Sequence, residues 1–565
     1  MNFRIVLGSA VLLTLGGALS AQAVRDQIER FRADQAALER FYDLGFSEAR
    51  AERLDAFYRE RRTELEKVEF DGLDRDAKID WLLFANHLEK KIEELGFAKA
   101  RRAAQRPFLP FADDVLAFEL DRRALKEAAA EACATRLATI VEAIKAKKRT
   151  VETDAKTYSG PGDKGILGEP QRLAAFHAAR ECEKLRGHLE HWFSQYRNFD
   201  PQTTWWCAKP LEDAVAALND YAAHLKAKIA GLDDPDVLVG EPIGAAAIES
   251  GIRREMLPWS AKELVDLADE HFKWCEVEMK RASAEMGFGE DWKKALDEVK
   301  KRSVAPGEQP KLVVEQAREA IAFIDAKELM TIPSLCRELW RWEMNSPETQ
   351  RVLPFASYDD LWMSVSYPTS DMDHERKLGA LRGNNRHFTR LVTPHELVPG
   401  HHLQGWYADR ERTWRKPFST PFLVEGWAVY TEMLFWDHGF PKGPEDRIGA
   451  LLWRMHRCAR VVVSLGYHMG TMRPPEMVDH LVQRVGLEKD GATAEVRRYL
   501  SGGYGPLYQC GYLIGALQLR ELRKECVASQ AMSERSFHDA ILKQNSIPIA
   551  MIRAALVPSV PLSKR

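Results

Sequence analysis

Helical periodicity dominates the hydrophobic and polar pattern of the chain. From Val24 to about Lys148 the sequence is rich in charged residues, and apolar residues recur three or four positions apart, as at Ile79, Leu82 and Leu83. That spacing places apolar side chains on one face of a helix. Strand-like alternation is scarce. The pattern therefore predicts an all-α, mainly helical fold.

Stretches rich in glycine and proline interrupt the helical pattern at 158–165 and again at 231–244. We place the main boundary near Gly240, which gives an N-terminal helical region over 24–240 and a C-terminal catalytic region over 241–565. We expect two helical lobes around a deep substrate channel, with at most a small β element near the metal site. In the C-terminal lobe, Ser260 and Glu263 have the spacing of a capping box at a helix start.

The first residues of the chain have the features of a secretory signal. Arg4 supplies a positive charge, an apolar run follows over 5–19, and 21–23 reads Ala-Gln-Ala. We predict a signal peptide over 1–23 and a periplasmic or secreted protein. The apolar run is shorter than the ~20 residues of a membrane span, and no cysteine follows it to accept a lipid, so we expect no stable membrane anchor.

Composition narrows the possible partners. Hydrophobic residues make up 45% of the chain and charged residues 29%, and the formal net charge is −3. This balance predicts no nucleic-acid partner and no anionic membrane surface. The eight cysteines contain no Cys-x-x-Cys pair, which excludes the common structural zinc patterns and leaves one or two disulfides open. The sequence leaves the oligomeric state undetermined.

The candidate chemistry begins in residues 393–404, which read Thr-Pro-His-Glu-Leu-Val-Pro-Gly-His-His-Leu-Gln. In the familiar His-Glu-x-x-His motif, two histidines four residues apart on a helix bind one zinc ion and the glutamate activates water. Here Pro399 and Gly400 displace the second imidazole by two residues. Proline removes an amide donor and glycine widens the backbone choices, so we predict a local bulge in the helix that restores the facing.

Residues 425–432, Glu-Gly-Trp-Ala-Val-Tyr-Thr-Glu, supply the remaining carboxylates. We predict one Zn²⁺ ion bound by His395, His401 and Glu425, with His402 as the competing candidate for the second ligand. Glu396 is the predicted general base.

Two further residues of this segment have predicted roles around the metal. Glu432 lies about two helical turns beyond Glu425, on the same face, and is predicted to accept the outer N–H of a ligand histidine. Trp427 carries a large ring that we expect to shield the metal from bulk water.

These two segments resemble those of a large bacterial family catalogued as a domain of unknown function. Its members resemble zinc metallopeptidases of the glutamate-ligand type, the group that contains angiotensin-converting enzyme and the thermostable carboxypeptidases. The resemblance runs from about Leu238 to the C-terminus and more weakly through the N-terminal helices. It implies an all-helical peptidase with a deep channel, zinc on the ligands named above, and Glu396 as the base.

Downstream segments extend the resemblance. Pro506 and residues 512–515 are similar to a family segment Pro-x-Gln-x-x-x-Tyr-x-x-Gly, and 537–542 to Phe-His-Asp-x-x-Leu. Tyr508 stands where the family usually has glutamine, and Ser464 where aspartate is common.

The oxyanion of amide hydrolysis must be stabilised by the metal and by a nearby phenol, imidazole or cation. Tyr512 is the first candidate for this catalytic role, and His468 and His538 follow.

The combined pattern predicts a secreted zinc-dependent metallopeptidase that cleaves peptide bonds of oligopeptides. A metal-dependent hydrolase of another amide or ester, or an inactive peptide-binding scaffold, remains the alternative. Residues 361–367 are the best short strand in the chain. We predict that this strand is an edge strand that binds the substrate backbone, against the alternative of a plain core strand. Endo-, amino- and carboxypeptidase action all remain open.

Overall fold

The structure, a computed structural model, describes residues 7–126, 129–153, 170–232, 238, 240–500 and 504–564. The predicted mainly α-helical fold is confirmed, since helices account for most of the chain. The start of the predicted signal peptide at 1–6, the predicted loop at 158–165 and part of that at 231–244 lie outside the described residues. From Leu7 the chain forms one helix that ends at Phe41.

In the described part of the first 241 residues, the α-helices are α1 (Leu7–Phe41), α2 (Glu48–Glu66), α3 (Arg75–Gln105), α4 (Ala112–Arg123), α5 (Ala130–Thr153), α6 (Pro170–Ser194) and α7 (Pro201–His224). Helix α7 shows why these helices begin where they do. The Asp200 side chain accepts hydrogen bonds from the amides of Gln202 and Thr203, and Pro201 occupies the first turn, where no amide donor is required.

The remaining helices are α8 (Ala245–Arg254), α9 (Ala261–Glu285), α10 (Trp292–Lys300), α11 (Gln309–Lys327), α12 (Ser334–Leu339), α13 (Pro347–Gln350), α14 (His374–Gly383), α15 (Arg386–Glu396), α16 (His401–Ala408), α17 (Pro421–Asp437), α18 (Pro444–His468), α19 (Pro474–His480), α20 (Lys489–Leu500), α21 (Tyr508–Arg523), α22 (Glu534–Leu542) and α23 (Ile549–Leu556). The predicted capping box of α9 is confirmed, with Ser260 and Glu263 each capping the other's backbone amide.

A small three-stranded sheet is the β element of the described residues. Its strands are β1 (Arg341–Met344), β2 (Ala356–Asp359) and β3 (Trp362–Val365), in the order β1-β3-β2. Strand β3 pairs in parallel with β1 and antiparallel with β2. The central position therefore belongs to β3, and β2 is an edge strand.

The chain divides into two compact units. One contains Phe31–Thr63 and Leu88–Glu241, and the other contains Met1–Arg30, Glu64–His87 and Pro242–Arg565. The first is built on buried leucines of α5, α6 and α7, among them Leu137, Leu185 and Leu218.

In the second unit, a buried ion pair of 2.6 Å between Arg415 and Asp80 joins segment 64–87 to the C-terminal helices. Every residue of the candidate site below lies in this second unit. All eight cysteines are buried and none forms a disulfide. Within the described residues, no helix has both the length and the apolar character that crossing a membrane requires.

Candidate metal centre

The predicted bulged helix is wrong, because the motif forms two helices with a break between them. Helix α15 ends at Glu396, residues 397–400 leave the helical path, and α16 begins at His401. Pro399 has no amide to donate to the carbonyl of His395, so the hydrogen-bond ladder cannot continue. The Gly400 amide donates to the Pro394 carbonyl at 2.9 Å, which folds the break back against the end of α15.

Gly400 brings the two helix ends into close contact. A β-carbon at this position would lie 1.7 Å from the carbonyl oxygen of His395, a distance that no side chain tolerates. The break is also held from outside, because the Trp427 indole donates to the Pro399 carbonyl at 2.8 Å. Trp427 is fully buried. It ties α17 to the break and is absent from the lining of the cavity described below.

Glycines also set the approach of α17 and α21. A β-carbon on Gly515 would lie 1.8 Å from the Phe422 carbonyl oxygen, and one on Gly426 would lie 2.7 Å from the α-carbon of Gly515. The two helices therefore pack backbone against backbone. This close packing brings Glu425 on α17 beside the tyrosines of α21.

Three predicted ligands meet at this junction. Nε2 of His401 lies 3.3 Å from Oε2 of Glu425, and Nε2 of His395 lies 3.9 Å from the same oxygen. One ligand atom from each of the three residues lies within 4.8 Å of the other two. The imidazole rings of His395 and His401 are nearly perpendicular, with centroids 4.9 Å apart.

His402, the competing candidate, lies outside this cluster. Its Nε2–H donates to the Cys336 carbonyl at 2.9 Å, so its Nδ1 is the acceptor for the Tyr358 hydroxyl at 3.0 Å. Both ring nitrogens are thus engaged elsewhere. His401 therefore belongs to the cluster, and His402 lies outside it, between Cys336 and Tyr358.

The residues around Glu425 keep its carboxylate ionised. Burial would raise its pKa, but the imidazoles of His401 and His395 lower that pKa well below its usual value. Burial likewise opposes protonation of His401, yet the Glu425 carboxylate raises the pKa of this imidazole. The buried Oε2 atom of Glu425 has no hydrogen-bond partner among the described residues. A buried carboxylate oxygen that faces two imidazoles without a regular hydrogen bond is suited to bind a cation shared with them.

Glu432 occupies the position predicted for it. Its Oε1 lies 2.6 Å from Nδ1 of His395, which leaves Nε2 of that ring directed to the cluster. Arg457 donates to the same carboxylate oxygen at 3.2 Å. A carboxylate behind a ligand histidine fixes the tautomer and the orientation of the ring, which is the usual support of a metal-bound imidazole.

The donor set fits a divalent zinc ion. Two imidazoles and one carboxylate, each supplying one atom to a common point, are the protein ligands of catalytic zinc sites that keep a fourth position for water or substrate. The unpartnered Glu425 oxygen and the His395–Glu432 contact both agree with this assignment.

The cluster opens on a cavity of about 320 Å³. Glu396 and Tyr512, the two predicted catalytic residues, both line it. Tyr512 lies with its ring parallel to that of His395, the centroids 6.3 Å apart. Its hydroxyl accepts a hydrogen bond from Arg498 at 3.2 Å, and burial raises the pKa of Tyr512, so its phenol remains protonated.

The other oxyanion candidates lie away from the lining of this cavity. His538 is buried in the core, where Nδ1–H donates to the Leu329 carbonyl at 2.7 Å and Nε2 accepts from the Tyr430 hydroxyl at 2.7 Å. His468 is the last residue of α18, and its carbonyl accepts from the amide of Gly244. Of the three candidates, Tyr512 is the one beside the cluster.

Several cavity residues had no role assigned in the sequence analysis, which noted Tyr508 only as a departure from the family pattern. The most direct is Tyr508, whose hydroxyl makes a short hydrogen bond to Oε1 of Glu425. Burial and the Glu425 carboxylate raise the pKa of Tyr508 far above its usual value, so its phenol stays protonated and is the donor of this hydrogen bond. The four-residue spacing of Tyr508 and Tyr512 on one helix was the available signal.

Arg457, Arg460 and Arg498 also line the cavity and were missed. Arg457 and Arg460 stand three residues apart in α18, and both are buried. Charged residues are rarely buried unless they are paired, so this spacing was the signal that could have found them.

The strand predicted at 361–367 forms, as β3, but it is a central strand and not the predicted edge strand. Strand β3 is paired on both sides, so its backbone groups are not free to bind a substrate. Strand β2 is the edge strand, and residues 353–360 around it line the cavity. In the antiparallel pair, Phe355 accepts from the Ser366 amide, and alternate residues turn their N–H and C=O groups outward. Ala356 and Tyr358 therefore present theirs at the open edge.

Fold and site together define a mainly α-helical protein with a buried His-His-Glu cluster in a cavity. The chain belongs to the family described as "Bacterial protein of unknown function (DUF885)", whose family model matches residues 33–556. No curated protein matches the chain.

The solved structures that are similar to the chain include two described as "putative lipoprotein". One, "The structure of a putative lipoprotein of unknown function from Shewanella oneidensis", has a TM-score of 0.66 and 17% identity, covering 94% of this chain and 99% of that one. The other, "The crystal structure of the putative lipoprotein from Colwellia psychrerythraea", has a TM-score of 0.51 and 16% identity, covering 75% of this chain and 74% of that one. At these identities the likeness concerns the fold alone.

Proposed function

We propose that this protein is a zinc-dependent peptidase that hydrolyses peptide bonds of oligopeptides, with Glu396 as the general base. One observation carries the proposal. The ligand atoms of His395, His401 and Glu425 meet within 4.8 Å beside a cavity that Glu396 also lines. The resemblance of the two motif segments to glutamate-ligand metallopeptidases points to the same class of chemistry.

The bound cation would be held by His395, His401 and Glu425, and it would supply Lewis-acid polarisation of a substrate carbonyl and acidification of a water molecule. Glu396 follows His395 directly in the chain and is 7% exposed at the cavity wall. Its carboxylate would take the proton of the attacking water and return it to the leaving amine. Glu432 keeps the His395 ring in the orientation that this arrangement needs.

Tyr512 is the proposed donor to the developing oxyanion. Its phenol remains protonated, and Arg498 donates to its oxygen. That hydrogen bond polarises the O–H group and makes it a better donor to an anionic oxygen. Tyr508 has a different role, because its hydroxyl already donates a hydrogen bond to Glu425.

The open edge of β2 favours an extended peptide as the substrate. Ala356 and Tyr358 offer outward N–H and C=O groups beside the cavity, and an added strand pairs with such groups. This arrangement would hold a peptide by its backbone, which is common to all peptide sequences. It favours a peptidase over a hydrolase of small amides or esters.

We also propose that the protein acts outside the cytoplasm. The residues at 1–23 have the pattern of a secretory signal. The two structures named above carry the description "putative lipoprotein", and lipoproteins are a class of exported protein. The place of action is tested by fractionating cells that express the full chain and probing the periplasm, membranes and medium.

A mixed peptide library tests the activity. The zinc-loaded protein is incubated with the library, with and without a chelator, and the cut positions are determined by mass spectrometry. We expect cleavage that the chelator abolishes. The Glu396→Gln variant should keep its zinc and lose about 10²–10⁴-fold in kcat, the scale of general acid–base catalysis. Near-normal turnover by this variant, at full zinc occupancy, would refute the assignment of the base.

A further inference from the structure

Three arginines form one wall of the cavity. We define the arginine wall as Arg457 and Arg460 on α18 and Arg498 on α20; all three line the cavity. The guanidinium group of Arg460 lies 4.3 Å from the ring centroid of Tyr512, and that of Arg457 lies 5.1 Å from it. The wall therefore surrounds the tyrosine that stands beside the metal cluster.

The carboxylate partners of Arg457 and Arg460 leave part of the hydrogen-bonding capacity of these two side chains unused. One terminal nitrogen of Arg457 donates to Glu432 at 3.2 Å, and one of Arg460 donates to Glu495 at 2.7 Å. Nε of Arg457 and Nη1 of Arg460 have no partner among the described residues. Both side chains are at least nine-tenths buried, with 5% and 3% exposed. Buried guanidinium donors without acceptors are costly, and an incoming anion would satisfy them.

We propose that the arginine wall binds a carboxylate group of the substrate. Because it names the substrate class of the same cavity, this inference rests on the proposed hydrolase function. Guanidinium groups suit a carboxylate because their planar fork matches its two oxygens. Two sources offer that chemistry, the C-terminal carboxylate of a peptide and an acidic side chain.

The distance between the wall and the cluster limits where this carboxylate lies in the substrate. The His395 and Tyr512 ring centroids are 6.3 Å apart, and the Arg460 guanidinium lies 4.3 Å from the Tyr512 centroid. The guanidinium is thus within about 11 Å of the His395 ring, a span of about three extended residues. The substrate class is a peptide with a carboxylate no more than three residues from the bond that is cut.

Equilibrium binding tests the inference without turnover. The protein is the full-length, zinc-loaded Glu396→Gln variant, and the probes are N-acetyl-tetra-alanine as the free acid and as the amide. Two further amides carry Glu or Gln at the third position. By titration calorimetry, we expect the free acid, the Glu amide or both to bind at least about tenfold more tightly than the matched neutral peptide. A preference for the free acid identifies the C-terminus, and a preference for the Glu amide identifies a side chain.

Variants separate the wall from the cation. Arg460→Lys keeps a charge opposite Glu495 but loses the fork, so the preference should fall about tenfold. Glu495→Gln removes the negative charge that pairs with Arg460, so the preference should rise. Arg484→Lys is the matched control, because Arg484 lies outside the cavity lining, over the ring of Phe272. Circular dichroism checks that each variant is folded. In the Glu396→Gln protein with its arginines intact, the preference for the charged probe should persist after zinc is removed by a chelator.

Equal affinity for the charged and neutral probes would overturn the inference. An unchanged preference in Arg460→Lys would also overturn it, and so would loss of the preference when zinc is removed. These outcomes differ from failure of the proposed function. If peptides are cut but charged and neutral probes bind equally, the wall is not a carboxylate site and the peptidase proposal stands. If the preference is present but the wild-type protein cuts no peptide, the carboxylate site stands and the peptidase proposal fails.

Discussion

Gly400 lies directly against the end of helix α15, where a β-carbon at this position would be 1.7 Å from the carbonyl oxygen of His395. Gly400→Ala must therefore separate α15 from α16 and move His401 away from His395. We expect loss of stoichiometric zinc and a destabilisation of roughly 2 kcal/mol or more, the range of overpacking in a buried site. Zinc content by atomic emission and the urea midpoint of unfolding check both.

Gly405→Ala is the matched control for that substitution. Gly405 lies in α16, and a β-carbon there would meet nothing within 4 Å. Alanine is the better helix former, so this variant should bind zinc normally and gain roughly 0.5–1 kcal/mol. Zinc retained by Gly400→Ala to the same extent would contradict the role assigned to the close contact.

Neighbouring histidines should differ in metal binding. His401→Gln removes a nitrogen that lies 3.3 Å from Glu425 and should abolish tight zinc binding. His402→Gln alters a ring whose nitrogens already face Cys336 and Tyr358, so we expect zinc to stay bound with at most a moderate loss of stability. Competition with a chromophoric chelator measures both affinities. Equal zinc losses in the two variants would contradict the ligand assignment.

Tyr508 should tune the zinc affinity without being a ligand. Its hydroxyl donates to the Glu425 oxygen that is not shared with His401, which orients the carboxylate. Removing a partner of this kind typically costs about 10–100-fold in metal affinity, so Tyr508→Phe should fall in that range. The chelator competition applies here as well, and Tyr504→Phe, on the same cavity wall, is the comparison variant. An unchanged affinity in Tyr508→Phe would show that the hydrogen bond has no such role.

Adjacent proline substitutions in β2 should have different effects. The Ala356 amide faces the open edge, so Ala356→Pro should leave the protein folded and raise KM several-fold for peptide substrates. Ser357 pairs with Ser364 in the ladder, so Ser357→Pro should break the sheet and lower the thermal midpoint. Steady-state kinetics and thermal melts distinguish the two. A normal KM in Ala356→Pro would remove the edge from substrate binding.

The buried His538 should make stability depend on pH. Burial lowers its pKa from the ordinary 6.5 to about 4. Above pH 6.5 the ring is neutral in both the folded and unfolded states, and its contribution is fully present. Between pH 6.5 and 4 only the unfolded chain binds the proton, so stability falls as the pH falls, by about 3 kcal/mol in total.

His538→Asn, which does not titrate, isolates this contribution. The difference in unfolding free energy between the wild type and the variant should shrink as the pH is lowered from 7 to 4, as measured by urea unfolding. A pH-independent difference would mean that the pKa of His538 is not lowered in the folded state.

Local sequence determined much of this protein. The three- and four-residue periodicity predicted the helices, and the capping box at Ser260 set the start of α9, because both depend on residues close together in the chain. The chemical types in 393–404 and 425–432 were enough to name His395, His401 and Glu425 as candidates for one metal site.

Tertiary structure decided what depends on the approach of distant segments. The choice of His401 over His402 follows from how the break at 397–400 folds back, and that turn is fixed by the contact of Gly400 with His395 and by the Trp427 hydrogen bond. Tyr508 reaches Glu425 only because Gly515 lets α21 pack against α17. The edge strand is β2, and β3 is central, for the same reason. A strand's position in a sheet depends on its partner strands, and the periodicity of one segment does not identify those partners.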